Sequence, residues 1–319
     1  MTKPIIVYPD ADTGEADAHA IHLNRLREIG ELRLFTGRPK THREYVERVR
    51  DANAILLGWD LPHDVMLEIP KLEVVSFTGI GASKFVDISL AQARTVTVCN
   101  CPGYSDNTVA EHALALLLAA ARRLPQLDSE LRAGRWNQQT SGQELKGKRI
   151  GLVGFGGIAA RFAEICAGLG MEVWAWTRKV TAERRALDYV KFVALEDLYS
   201  SSNFISLHLA SNNDTEGFID ARALAAMKAD TIFINTARAE LVDEAALLAA
   251  LKGGSLKMAA LDVYWEEPLG ANHPLLLLDN VIVTPHIAFK TPEATSSLFA
   301  IGVNNIIQYF AGEPINIVS

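Results

Sequence analysis

Residues Lys148–Lys179 read KRIGLVGFGGIAARFAEICAGLGMEVWAWTRK, and their order decides how the rest of the chain is read. Arg149–Val153 is an apolar run bounded by turn residues, the pattern of a buried strand. It enters Gly154, Gly156 and Gly157 and then a predicted helix over Ile158–Leu169, where Ile158, Phe162, Ile165 and Leu169 recur at helical spacing. Strand, glycine turn and helix in this order aim unpaired backbone N–H groups, and the positive end of a helix dipole, at an anion. After Gly170 a second strand is predicted over Val173–Trp176, which completes the first half of a dinucleotide-binding βαβ unit. Gly154 permits the tight turn and Gly156 lets the backbone approach a diphosphate. The third position of the glycine fingerprint is Ala159, a replacement that close helix-to-strand packing tolerates.

The end of the second strand bears on the choice of nucleotide. About twenty residues past the glycines, NAD binding calls for an Asp or Glu to accept from the ribose hydroxyls. The chain has Thr177, Arg178 and Lys179 there. A hydroxyl and two cations cannot replace a carboxylate, but they suit a 2′-phosphate, which a guanidinium can grip through paired hydrogen bonds. NADP(H) is therefore the expected cofactor, with NAD(H) possible.

The 319 residues are enough for two domains, each with its own core. A formal charge of −7 gives no electrostatic footprint for nucleic acid or an anionic membrane. The apolar run of MTKPIIVYPD is too short for a signal peptide, and Ala113–Ala121 is far below membrane-spanning length. A soluble cytoplasmic protein acting on a small molecule is expected. Cys99, Cys101 and Cys166 form neither a metal-ligand pattern nor an even disulfide framework. His19 and His22 lack a third ligand nearby and are read as a solvated helix surface, so no metal is expected.

From the N-terminus, predicted strands at Ile5–Tyr8, Glu31–Phe35, Ala54–Leu57, Leu72–Phe77 and Val96–Val98 alternate with helical stretches, among them Ala16–Ile29. That is the signature of a parallel sheet covered on both faces. Thr78, Gly79, Ile80 and Gly81 follow one strand directly, where α/β sheets place ligands and adjacent glycine amides can hold a carboxylate. A plain tight turn explains them equally well. A long helix is expected over Thr108–Arg123, capped by Ser105 or Asp106. Ala133–Gly147 is polar and irregular. Beyond Lys179 the alternation resumes and predicts a second sheet of six or seven parallel strands from about residue 149 to 285. Pro292–Tyr309 reads as a final helix.

Three strands of that second sheet each deliver a reactive side chain just past their carboxyl ends: Arg238, Glu267 and His286. An arginine beside a nicotinamide can hold a substrate carboxylate and polarise the neighbouring carbonyl. An imidazole, whose ordinary pKa lies near neutrality, can give a proton to that oxygen and take it back. A carboxylate on its far nitrogen would fix the tautomer and favour the imidazolium. Each residue alone has an ordinary structural explanation; three at adjacent strand ends point to a reaction site.

With these segments in place, the sequence resembles the D-isomer-specific 2-hydroxyacid dehydrogenases, which include phosphoglycerate dehydrogenases and glyoxylate/hydroxypyruvate reductases. The resemblance is carried by NCPGYSDNTVAEHALAL from Asn100, RAGRW from Arg132, ELKGKRIGLVGFG from Glu144, SLHLA from Ser206, MKADTIFINTARAELVDEAAL from Met227, ALDVYWEEP from Ala260 and NVIVTPHIA from Asn280. It implies two Rossmann-like α/β domains with doubly wound parallel sheets and an active site in the interdomain cleft. The substrate-binding, flavodoxin-like domain would be discontinuous, residues 1–100 plus 287–319, and the dinucleotide-binding domain would span 101–286. By resemblance Arg238, Glu267 and His286 match the catalytic trio, and Asp262 matches the residue near the nicotinamide carboxamide. Gly157, Ile158, Leu209, Thr236, Ala237 and Ala288 match positions lining the cofactor, beside Gly154, Gly156 and His286. Gly79, Ile80 and Gly81 match the substrate-carboxylate loop, and Arg238 shares that role. A homodimer is implied.

The chain departs from the pattern after Gly81, where Ala82, Ser83, Lys84 and Phe85 carry what looks like one extra residue beside the carboxylate loop. Ala210 replaces a common proline and Ala239 a common glycine. Trp59, Phe85, Trp265 and Phe289 are candidate pocket walls. The expected activity is interconversion of a small 2-oxoacid, such as glyoxylate or hydroxypyruvate, with its D-2-hydroxyacid. Phosphoglycerate dehydrogenase is the alternative, disfavoured because the chain ends soon after its last helix. Formate dehydrogenase chemistry would not need a histidine paired with a glutamate, and a nucleotide-sensing corepressor would not need the intact trio.

Overall fold

The computed structural model describes residues 3–319. In chain order it begins β1 (Ile5–Ala11), α1 (Glu15–Ala18), α2 (Ala20–Ile29), β2 (Glu31–Thr36), α3 (His42–Val49), β3 (Ala54–Leu57), α4 (His63–Leu67), β4 (Val74–Phe77), α5 (Ile88–Ala93) and β5 (Thr97–Cys99). Then come α6 (Asp106–Arg122), α7 (Leu124–Arg132), β6 (Arg149–Val153), α8 (Gly157–Gly168), β7 (Glu172–Trp176), α9 (Ala182–Arg185), β8 (Val190–Phe192), α10 (Leu195–Ser201) and β9 (Phe204–Leu207). The last are α11 (Ala221–Ala226), β10 (Ile232–Asn235), α12 (Glu244–Gly253), β11 (Met258–Leu261), β12 (Val281–Val283) and α13 (Pro292–Phe310). The chain divides into two compact units, residues 1–104 with 291–319 and residues 105–290. Both cuts fall four residues later than the sequence placed them.

The first unit holds a five-stranded parallel sheet in the order β2-β1-β3-β4-β5. Ala54–Leu57 and Val74–Phe77 are buried along their whole length, as central strands covered on both faces must be. One face packs against α2 and α13, with Leu23, Leu26, Phe299, Val303 and Ile306 in the core. The buried Asn305 of α13 donates to the Ser76 hydroxyl at 3.2 Å and to the Asn100 carbonyl at 2.8 Å, pinning the helix to the strand ends. The expected first helix is broken at His19 into α1 and α2. The two histidines there are not a solvated surface. His19 stacks on Phe299 at 4.2 Å, and the His22 ring lies 3.0 Å from the Ser296 hydroxyl.

The second unit holds a seven-stranded parallel sheet, β12-β11-β10-β9-β6-β7-β8. The strand order reverses at β6, and the crevice outside the carboxyl ends of β6 and β9 is where such sheets hold nucleotides. The helix α6 packs along α8 and buries Ala113, Leu117, Ala120 and Ala121 against Phe162, Ala163 and Cys166. Ser105 stands at the N-cap of α6 but its side chain makes no capping hydrogen bond, and Asp106 is the first helical residue, so neither side chain caps it as expected. Thr108–Arg123 continues past Arg123, whose φ of +56° turns the chain directly into α7. No helix among the described residues is long and apolar enough to cross a membrane, and no cluster of three or more His, Cys, Asp or Glu there could hold a metal ion. All three cysteines are buried and free.

Candidate active site

The junction of β6 and α8 is built for an anion. Gly154 has φ +96°, and a Cβ placed there would lie 2.5 Å from the His208 carbonyl oxygen. Only glycine fits, by conformation and by space. Gly154→Ala is expected to destabilise the second unit by about 3 kcal/mol, seen as a fall in Tm of roughly 5–10 °C in thermal unfolding followed by circular dichroism. The first turn of α8 has no side-chain cap at Gly156, and the space beside Gly156 is open. Its amides are therefore presented to whatever binds there. Ala159, at the third fingerprint position, is fully buried against α6 and the sheet.

Other atoms round this junction fit a nucleotide. The Thr236 hydroxyl is buried with no hydrogen-bond partner among the described residues, an orphan that a bound polar group would satisfy. Ala237 follows it, held by its amide donating to Asn235 Oδ1 at 3.0 Å. Leu209, beyond β9, packs against the second unit's core, and Ile158 is half-buried in the first turn of α8. The Nε2 of His208 is also buried without a partner, and burial lowers the pKa of this ring to about 3, so it stays neutral.

Past β7, the Thr177 hydroxyl accepts from Arg184 Nη1 at 3.2 Å, and the same nitrogen donates to the Lys179 carbonyl at 2.6 Å. The Arg184 guanidinium lies 6.0 Å from the Phe155 ring, inside the glycine fingerprint. This residue escaped the sequence reading, which stopped at Lys179; the cations of TAERR one turn later were the available signal. Arg178 reaches towards Asp214 at 3.7 Å, with both side chains largely exposed, so an acidic partner from another loop does meet the basic turn.

At the other side of the sheet, Glu267 and His286 come together. Glu267 Oε1 accepts the Tyr264 amide at 3.0 Å, and Oε2 lies 2.7 Å from His286 Nδ1. The carboxylate is thus fixed through one oxygen and orients the ring through the other. His286 Nε2 has no partner among the described residues. The backbone of His286 has φ +51°, a conformation side chains rarely adopt, and the buried carboxylate of Asp262 holds the segment in place. Asp262 accepts the Thr284 hydroxyl at 2.6 Å and the Ile287 amide at 3.0 Å on Oδ1, and the Ala288 amide at 2.8 Å on Oδ2. His112 of α6 joins this network, with Nε2 3.1 Å from the Thr284 hydroxyl. Its part was not visible from sequence, because it depends on how α6 lies against the sheet.

Arg238 stands just past β10, its carbonyl accepting from Asn235 Nδ2 at 2.9 Å. Its Nη1 donates to the Ala237 carbonyl at 2.6 Å, and no contact with Glu267 or His286 is seen among the described residues. The expected trio is therefore a pair plus a neighbouring arginine in this state. Phe289 sits edge-on to the His286 ring at 5.9 Å, whereas Trp265 donates to the Val242 carbonyl and packs into the core.

In the first unit, the loop after β4 is fixed by the Cys101 amide donating to the Gly79 carbonyl at 2.8 Å and by Asn100 Nδ2 donating to the Ile80 carbonyl at 2.8 Å. Both carbonyls are thereby occupied. The amides of Ile80 and Gly81 have no partner among the described residues, and nothing lies within 4 Å of a Cβ built at Gly81. Ala82–Lys84 form one 3₁₀ turn, and Phe85 stacks on Phe77 at 4.8 Å. Trp59, past β3, lies under the Arg38 guanidinium at 3.3 Å.

The family model for D-isomer specific 2-hydroxyacid dehydrogenase, NAD binding domain, matches residues 114–288, more than half of the chain. The chain belongs to the D-isomer specific 2-hydroxyacid dehydrogenase family. It is 39% identical to a D-3-phosphoglycerate dehydrogenase of Archaeoglobus fulgidus over 92% of this chain and 56% of that protein. It thus spans about half the length of the curated phosphoglycerate dehydrogenases it matches. A glyoxylate reductase of Korarchaeum cryptofilum is 34% identical, covering 93% of this chain and 92% of that one. Among solved structures, an NADPH-dependent glyoxylate/hydroxypyruvate reductase from Sinorhizobium meliloti, in complex with NADP and malonate, superposes with a TM-score of 0.81. It is 29% identical and covers 100% of this chain and 97% of that one.

Proposed function

We propose that this family member is an NADPH-dependent reductase that converts a small 2-oxoacid of the glyoxylate or hydroxypyruvate kind to its D-2-hydroxyacid. The observation that carries the reading is the Glu267–His286 pair at 2.7 Å, set at strand ends of the sheet whose β6–α8 turn suits a dinucleotide. The bound nicotinamide supplies the hydride. Glu267 holds Nδ1 of His286 and fixes the ring, so that Nε2 faces the substrate's keto oxygen and gives it a proton. Arg238 grips the substrate carboxylate and stabilises charge on the same oxygen. The reading includes a homodimer in the cytoplasm, which sedimentation and fractionation would check.

Loss of NADPH absorbance with a panel of 2-oxoacids tests the activity, and no turnover with any of them would leave a nucleotide-sensing role. The identity to phosphoglycerate dehydrogenases supports a second reading, in which 3-phosphohydroxypyruvate is the best substrate of that panel. For the cofactor, Thr177 and Arg184 offer a hydroxyl and a guanidinium where an NAD site needs a carboxylate. Arg184→Ala is expected to reduce kcat/KM for NADPH about tenfold with little change for NADH, measured by initial rates with each nucleotide. Equal loss with both would remove Arg184 from 2′-phosphate recognition.

A further inference from the structure

Asp106 is the first residue of α6, and its carboxylate lies against the first residue of α8. A Cβ built at Gly157 would fall 1.8 Å from Asp106 Oδ2, so the carboxylate fills the place a side chain at that position would take. The two helices pack together, and their N-termini share this anion. No hydrogen bond or ion pair to the Asp106 carboxylate is seen among the described residues, and partial burial pushes its pKa above the ordinary carboxylate value. The positive ends of two helix dipoles lie beside it, one its own and one belonging to α8. The first turn of α8 carries no acidic residue itself, so Asp106 is an anion delivered to it from 51 positions away in sequence.

We propose that Asp106 sets the affinity for the dinucleotide by holding a negative charge at the mouth of the α8 turn, where the diphosphate must bind. The proposal rests on the nucleotide reading of the β6–α8 junction. A carboxylate beside an uncapped helix start partly neutralises the dipole that would otherwise attract phosphate, and it repels the diphosphate directly. The arrangement weakens cofactor binding and speeds cofactor release. It also accounts for glycine at position 157, since any larger residue would drive the carboxylate away.

The test is direct titration of the full chain with NADPH, followed by nicotinamide fluorescence and by calorimetry, at low and high ionic strength. Asp106→Asn, which keeps the shape and removes the charge, is expected to lower Kd about fivefold at low salt, with the gap closing as salt is raised. Asp106→Ser removes both charge and bulk and should tighten binding in the same direction. Glu164→Gln, an exposed charge further along α8, should change Kd by less than about twofold. Unchanged or weaker binding in both Asp106 variants, with the wild type binding normally, overturns the proposal. Absence of NADPH binding in the wild type would instead overturn the nucleotide reading and the proposal with it.

Discussion

Replacing His286 by alanine is expected to lower kcat by a factor of about a hundred or more while leaving the Kd for NADPH within about twofold of wild type. The imidazole is a proton donor held in place from several sides. Glu267 holds its Nδ1 at 2.7 Å, the Tyr264 amide holds Glu267, and Asp262 holds the Ile287 and Ala288 amides that follow it. Left-handed backbone at a histidine costs of order 1 kcal/mol, which the Asp262 clamp offsets. Single-turnover reduction of a 2-oxoacid, with nucleotide binding titrated separately, distinguishes loss of proton transfer from loss of cofactor. Wild-type turnover in this variant would remove His286 from the reaction.

Arg238 should matter as much, in a different way. Arg238→Lys is expected to reduce kcat/KM by about a hundredfold or more, because a point charge cannot reproduce a planar, two-pronged grip on a carboxylate. The loss should appear in both KM and kcat, since the same guanidinium binds the substrate and stabilises charge on its keto oxygen. Arg238 Nη1 donates to the Ala237 carbonyl, and the rest of its fork of five N–H donors is available to a substrate. Steady-state kinetics across the 2-oxoacid panel reads the effect. A lysine variant with unaltered KM would mean that the carboxylate is bound elsewhere.

Central strands were the most legible part of the fold. Residues 204–207, 232–235 and 258–261 are buried along their whole length and apolar except for Ser206 and Asn235, because a parallel sheet covered on both faces buries every side chain. The strand β8 was not picked out, since Val190–Phe192 is a three-residue edge carrying Lys191 outward. The helix α7 was passed over for another reason: Arg123 takes a left-handed backbone and Pro125 follows, a pair that reads as a stop but here restarts a helix. Within the site, residues at strand ends could be named in advance because topology puts them there. Contacts that depend on the path of a loop or the lie of one helix on another could not. Arg184 on Thr177, His112 on Thr284 and Asp106 on Gly157 are all of that kind.

The first unit closes only when residues 291–319 return to it. The helix α13 supplies Phe299, Val303 and Ile306 to its core, and the Val318 amide donates to the Val98 carbonyl at the outer strand. During synthesis, residues 105–290 can collapse into their own sheet as they emerge from the ribosome. The segment made first must wait, with one face of its sheet covered only by α2, until α13 has been translated. Chaperone dependence and aggregation on premature termination should therefore concentrate in the oldest part of the nascent chain.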